Sequence, residues 1–134
     1  MSRPTYYRVL FRAAAIWSWL LSIGFLFGED AGREAFNLPP AQPRILIDMT
    51  ILPVFLFGFA YWWVSRDITR NEVVPAVGAV GGILAFCIFV ARAWSGDIPP
   101  ILIVPAVVDL LFGVIFLEFL IWRRRLGQAS GDAV

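Results

Sequence analysis

Four long apolar stretches are the feature of this sequence that most limits what it can fold into. They are residues 9–27, 45–64, 73–94 and 98–122. An α-helix needs about 20 residues to cross ~30 Å of hydrocarbon, and each stretch is long enough to do so. Only 16% of the residues are charged, against ~25% in a typical soluble domain. We therefore predict an all-α fold, a four-transmembrane-helix bundle within residues 1–125, and not a soluble or disordered chain.

Helix-breaking residues mark the expected ends of these stretches. The sequence Gly28-Glu29-Asp30 is predicted to stop the first helix, and Pro99-Pro100 is predicted to open the fourth. Pro53 falls inside the second stretch, where a proline removes a backbone hydrogen bond and kinks a helix. Pro105 is expected to bend the fourth. Residues 126–134 are small and polar and are predicted to form a disordered cytoplasmic tail.

The arginines predict one orientation in the membrane. Eight of the 11 basic residues fall on one side of the predicted bundle and three, Arg33, Arg44 and Arg92, on the other. The eight are Arg3, Arg8, Arg12, Arg66, Arg70, Arg123, Arg124 and Arg125. Because positively charged segments stay in the cytoplasm, both termini are predicted to be cytoplasmic. Tyr6, Tyr7, Tyr61, Trp62, Trp63 and Trp122 are expected to anchor that face, as aromatic residues do at membrane interfaces.

Composition excludes several kinds of chemistry. The chain contains no His, and all of its basic residues are Arg, so a Ser-His-Asp triad and a lysine Schiff base are ruled out. With Cys87 as the single cysteine, no intrachain disulfide or CxxC redox pair can form. We expect a protein that is not an enzyme and that has no cofactor or metal of its own. The net charge of +1 gives no reason to expect nucleic-acid binding.

Ionisable residues within a predicted span are candidates for function, because they are costly there. Asp109 lies near the predicted midplane, and Asp48 lies about one turn into the second helix. Asp48 has two candidate partners, Arg44 and Arg92. Other polar residues at nearby depths extend the candidate ligand-binding set to Asp109, Asp48, Thr50, Ser18, Ser22 and Arg92. Whether they converge depends on helix rotation, so polar packing contacts remain the alternative.

Small residues at four-residue spacing predict close helix contacts. Gly24 and Gly28 form one such pair, and Gly78 and Gly82 form another. Tight packing within the bundle is one reading of these pairs. A homodimer through Gly78 and Gly82 is the other.

The second half of the chain resembles a known group of membrane proteins. The stretch from Gly58 to Asp67, the glycine-rich third helix, Trp94-Ser95-Gly96-Asp97 and Asp109 to Gly113 carry the likeness. They are similar to small bacterial four-helix integral membrane proteins of uncharacterised role, which are loosely DoxX-like. The resemblance implies a bacterial inner (cytoplasmic) membrane location and an accessory role in quinone-linked redox systems. No family catalytic residue maps onto this chain.

Three functions follow as expectations. The first is a non-catalytic accessory or structural subunit of a larger membrane complex, redox or quinone-linked, with the bilayer and other subunits as partners and lipid, quinone or pigment at its helix faces. The second is an intramembrane binder of a lipid, quinone or other hydrophobic ligand that uses Asp109 in an outer-half pocket. The third is a proton-coupled small transporter that works as an oligomer.

Overall fold

The structure is a computed structural model that describes residues 2–36 and 44–131. The described residues form helices and contain no strand. The helices are α1 (Arg3–Phe36), α2 (Arg44–Arg66), α3 (Val73–Trp94) and α4 (Ile103–Gly131), with a 3₁₀ turn at Pro100–Leu102 before α4. Four of these segments are long and apolar enough to cross a membrane. The prediction of an all-α fold with four long apolar helices is confirmed.

The chain divides into two compact units, Met1–Arg70 and Asn71–Val134. In the first unit α1 packs against α2, and in the second α3 packs against α4. Both pairs are antiparallel. In the first, Arg12 and Trp19 of α1 contact Trp62 and Gly58 of α2. Each unit is therefore a helical hairpin.

The first hairpin is held together by a narrow stripe of α1. Its buried residues recur at intervals of three and four, which is the spacing of one helix face. They are Tyr7, Phe11, Ala14, Ala15, Ser18 and Ser22. On α2, Ile51, Gly58 and Ser65 are buried at intervals of seven. Tyr7, which the sequence predicts to be an interface anchor, is 1% exposed, so its ring is buried within the protein.

Glycines bring α3 and α4 together in the second hairpin. A Cβ added at Gly82 would lie 2.5 Å from the backbone oxygen of Asp109, and one at Gly113 would lie 3.1 Å from the backbone oxygen of Ala79. Such close approach is how helices gain van der Waals contact where water does not drive association. Tight packing within the chain thus accounts for Gly82. By contrast, a Cβ at Gly24 or Gly28 would meet nothing within 4 Å.

Two helices extend further than the sequence predicted. Gly28-Glu29-Asp30 does not stop α1, which continues to Phe36. Gly28 and Gly32 each cost a helix only ~1 kcal/mol, and Ala31, Arg33 and Glu34 favour it. Similarly, α4 continues to Gly131, so residues 126–131 are helical and not a disordered tail. Leu126 and Gln128 are good helix formers, and no proline interrupts them. Residues 132–134 of the predicted tail lie outside the described residues.

The prolines divide into one inside a helix and one at a helix start. Pro53 lies inside α2, as the sequence indicated. Pro105 is the third residue of α4, within the first turn, where backbone N–H groups need no partner in the helix. Pro105 therefore comes directly after the change from the 3₁₀ turn to α4. At this position proline removes no hydrogen bond from the helix, so the bend that the sequence predicts for this reason is not required there.

Polar contacts fix both ends of the second hairpin. Asn71 accepts hydrogen bonds at its side-chain oxygen from the backbone N–H groups of Val73 and Val74, at 3.1 and 3.3 Å, and so caps α3. Beside it, Arg123 of α4 donates to the Glu72 carboxylate at 2.8 Å. At the other end of α3, Arg92 pairs with Asp97. The apolar length of α3 lies between these two charged contacts.

Candidate functional site

The six predicted site residues are divided between the two hairpins. Ser18, Ser22, Asp48 and Thr50 belong to the first unit, and Arg92 and Asp109 belong to the second. That the six form one ligand site stays a prediction.

Ser18 and Ser22 serve the packing of α1. Both are buried in its contact stripe, at 7% and 1% exposure. The Ser22 hydroxyl donates to the backbone oxygen of Ser18 at 2.8 Å, which is the usual way a serine is satisfied inside a helix. Their small side chains let α1 approach α2. This hydroxyl is therefore engaged within its own helix.

Asp48 and Thr50 do not share a helix face. They are two positions apart in α2, which rotates one side chain about 200° from the other at ~100° per residue. Asp48 is half-buried and Thr50 is exposed. Asp48 lies near the amino end of α2, where the helix dipole favours a carboxylate. The side chain of its candidate partner Arg44 lies outside the described residues.

Arg92 is engaged at the turn between α3 and α4. Its guanidinium donates to the Asp97 carboxylate at 3.0 Å, and the Ser95 hydroxyl donates to the same oxygen at 2.8 Å. Gly96 lies between them at a φ of 79°, a left-handed conformation that suits glycine. The Ser95 hydrogen bond and then the Arg92 contacts lower the pKa of Asp97 below its usual value of 3.8. The carboxylate that Arg92 binds is thus Asp97, a partner that the sequence analysis did not propose.

Asp109 lies at the contact between α3 and α4. Asp109 is half-buried, and Gly82 packs against its backbone oxygen. It is six positions after the start of α4 at Ile103, in a stretch that has no other charge until Glu118. The backbone of Asp109 therefore belongs to the packing contact of this hairpin.

The structure also shows a cluster that the sequence analysis missed, on one side of the first hairpin. Arg12 lies over the ring of Trp62, with its guanidinium carbon 5.8 Å from the ring centroid, within the ~6 Å range of a cation–π contact. Trp19 packs against Phe59 at 5.1 Å and against Trp62 at 6.0 Å between ring centroids. We call this surface the Arg–Trp flank; it comprises Arg8, Arg12, Trp19, Phe59, Trp62 and Arg66.

Helical spacing extends the flank beyond the residues in direct contact. Arg8 precedes Arg12 by four positions, and Arg66 follows Trp62 by four. Residues four apart lie on the same helix face with their Cβ atoms about 5–6 Å apart. The sequence shows the spacing of Arg8 and Arg12 on α1 and of Trp62 and Arg66 on α2. Only the pairing of the two helices shows that both pairs lie on the same side of the hairpin. From the sequence alone, the arginines of the flank indicate only the orientation in the membrane.

Trp19 sits at the centre of this flank with its indole nitrogen against Gly58. A Cβ added at Gly58 would overlap the indole ring, so only glycine leaves room there. Within the part of the chain that the structure describes, Nε1 of Trp19 is a buried polar atom without a hydrogen-bond partner. Such an atom is costly unless packing compensates for it. The gain here is the aromatic packing with Phe59 and Trp62.

No protein-family model, curated protein or solved structure matches this chain. Across residues 2–36 and 44–131, no three Cys, Asp or Glu side chains are grouped as a metal site. Function is therefore argued from the two hairpins themselves.

Proposed function

We propose that this protein is a multi-pass integral membrane protein of the bacterial inner membrane that acts as a non-catalytic accessory subunit of a larger membrane complex. Both termini are in the cytoplasm in this proposal. The resemblance noted above adds that the complex is redox- or quinone-linked.

The exposed apolar surface supports insertion. Large apolar side chains remain exposed on all four long helices. Phe27 is 86% exposed and Trp94 is 91% exposed. Continuous apolar surface of this extent is not kept in water by soluble monomers. Lipid is the surrounding that accommodates it.

The spacing of charges on α3 matches a bilayer. Glu72 and Arg92 are 20 positions apart, and no charged residue lies between them. At ~1.5 Å per residue the interval is about 30 Å, the thickness of the hydrocarbon core. The contacts of Glu72 with Arg123 and of Arg92 with Asp97 would then lie at opposite interfaces.

Unfilled glycine positions carry the proposal of lateral association. A Cβ at Gly24, Gly28 or Gly81 would meet nothing within 4 Å. Glycines allow the backbone of another helix to approach closely within a membrane, and the chain's own hairpin partners do not occupy these three positions. A neighbouring subunit is the occupant that we propose for them.

A size series at Gly81 tests this association. The full chain would be purified from native membranes in mild detergent, and its assembly size would be measured by native mass spectrometry. We expect a discrete complex with other membrane subunits for the wild type and for Gly81→Ala, and loss of that complex for Gly81→Leu. A well-behaved lone monomer from native membranes would contradict the proposal.

Binding of a hydrophobic ligand at Asp109 is the second candidate. The half-buried position of Asp109 in an otherwise uncharged part of α4 favours this candidate. Ionisable side chains within a membrane span are costly, and they are therefore candidates for a functional role. Lipids and quinones retained on the purified protein would be compared between wild type and Asp109→Asn. Unchanged retention and stability would rule this candidate out.

A further inference from the structure

We propose that the Arg–Trp flank binds an anionic phospholipid, with its phosphate on Arg8, Arg12 and Arg66 and its acyl chain along Trp19 and Phe59. The proposal rests on the membrane insertion proposed above. It is independent of any partner subunit.

The arginines of the flank are available to an anion. Arg8, Arg12 and Arg66 are all exposed, and within the described residues none of the three is joined to a carboxylate. The nearest acid in sequence, Asp67, is occupied elsewhere: it accepts from the Thr69 hydroxyl at 2.6 Å and from the Thr69 backbone N–H at 3.1 Å. These bonds are the main cause of its pKa lying below the usual 3.8. No carboxylate of the described residues thus balances the charge of these three guanidinium groups.

Guanidinium chemistry favours a phosphate. Arginine presents planar donors that match phosphate oxygens in pairs, and it stacks on aromatic faces at the same time. Arg12 already stacks on Trp62, which fixes its aliphatic stem and leaves the edge of the guanidinium free to donate. Arg12 would thus donate to a phosphate while it keeps its contact with Trp62.

The aromatic part of the flank fits the rest of a lipid. From Arg12 the surface passes to Trp62, Trp19 and Phe59, and Phe55 continues it at 5.3 Å from Phe59 between ring centroids. The charged residues lie at the end of the hairpin that carries Arg8 and Arg66. The aromatic rings lie toward the middle of both helices. Charge at the interface and apolar rings below it match the order of groups in a phospholipid.

Phosphatidylglycerol and phosphatidylcholine with the same acyl chains are suitable probes. Each would be titrated into the purified full chain in neutral detergent, and the bound fraction would be measured by native mass spectrometry. We expect tighter binding of phosphatidylglycerol. Because each arginine near an anionic membrane surface contributes about a fivefold change in affinity, Arg12→Gln should weaken phosphatidylglycerol binding about fivefold. Arg12→Lys should weaken it less than Arg12→Gln does, because lysine keeps the charge but lacks the planar pair of donors.

Arg124→Gln is the matched control, since it removes the same charge from an exposed arginine outside the flank. We expect it to leave phosphatidylglycerol binding unchanged. An equal loss in Arg124→Gln and Arg12→Gln would show a diffuse charge effect and overturn the proposal. Equal binding of the two lipids by the wild type would do the same.

A soluble competitor separates a lipid from a free phosphate ester. Glycerol 3-phosphate should not displace phosphatidylglycerol at equal concentration, because it has no acyl chain for the rings of Trp19 and Phe59. Equal competition would overturn the assignment to a lipid. If the chain were recovered in the soluble fraction of cells and not with the membranes, insertion itself would be refuted. A membrane-bound chain without preference for phosphatidylglycerol would refute only the lipid site.

Discussion

At the residue scale, two neighbouring glycines of α3 have opposite surroundings. A Cβ at Gly82 would lie 2.5 Å from a backbone oxygen of α4, whereas one at Gly81 would meet open space. We expect Gly82→Val to destabilise the second hairpin by about 1–3 kcal/mol, because backbone atoms cannot move aside as a flexible side chain can. Unfolding in mixed micelles would measure the change in free energy.

Gly81→Ala is the control for that experiment. It should leave stability unchanged or raise it by at most ~1 kcal/mol, because alanine favours a helix more than glycine does. An equal loss in Gly81→Ala and Gly82→Val would contradict the contact with α4 as the cause, because a Cβ at Gly81 meets nothing within 4 Å.

Gly58 makes the corresponding prediction in the first hairpin. Gly58→Ala should destabilise it by about 1–3 kcal/mol, because the added methyl overlaps the indole of Trp19. Since the neighbour is a side chain, Trp19→Ala should relieve the overlap, and the double variant should lose less stability than the two single losses added together. Strict additivity in this double-mutant cycle would contradict the contact.

At the element scale, the cap of α3 depends on one side chain. Asn71 accepts two backbone hydrogen bonds from the first turn. We expect Asn71→Ala to cost about 0.5–2 kcal/mol and Asn71→Asp to retain most of the stability, because aspartate accepts the same bonds. Amide hydrogen exchange at Val73 and Val74 would locate the effect, and unchanged exchange in Asn71→Ala would count against the cap.

The turn between α3 and α4 has a pH dependence of known direction. The pKa of Asp97 is lowered in the folded chain, first by the Ser95 hydrogen bond and then by Arg92. These contacts therefore stabilise the turn above pH ~3.8, and the stabilisation is lost as the pH falls through the lowered pKa. Ser95→Ala and Arg92→Gln should each raise the pKa of Asp97 toward 3.8. Titration followed by NMR of the Asp97 carboxyl carbon measures both shifts; an unmoved pKa in Ser95→Ala would refute the assignment.

At the scale of the whole molecule, the unequal distribution of arginine predicts the topology. Eight arginines should hold both termini and the turn after α2 in the cytoplasm. Phosphatase fusions, which are active only outside the cytoplasm, should be inactive at either terminus and active after Trp94. An active fusion at residue 131 would refute this orientation.

The polar residues show where sequence reasoning reaches its limit. Their depth along each helix could be counted from the letters, so Asp109 was correctly placed inside a long apolar helix. The direction in which each side chain points about the helix axis could not be counted in this way, because it depends on which face of the helix packs against a neighbouring helix. The Arg92–Asp97 contact depends on the turn at Gly96, and the Arg–Trp flank depends on the register of α1 against α2. Neither could be derived from spacing within one helix.

Hydrophobicity along the chain was enough to establish four apolar helices and to suggest a membrane as their surroundings, because backbone hydrogen bonds in lipid must be satisfied within each segment. The pairing of helices into two hairpins, the burial of Tyr7 and the close contact at Gly82 were decided only by tertiary packing. Where every face of a helix is apolar, composition cannot show which face meets another helix. Only the fit between small residues and their neighbours makes that choice.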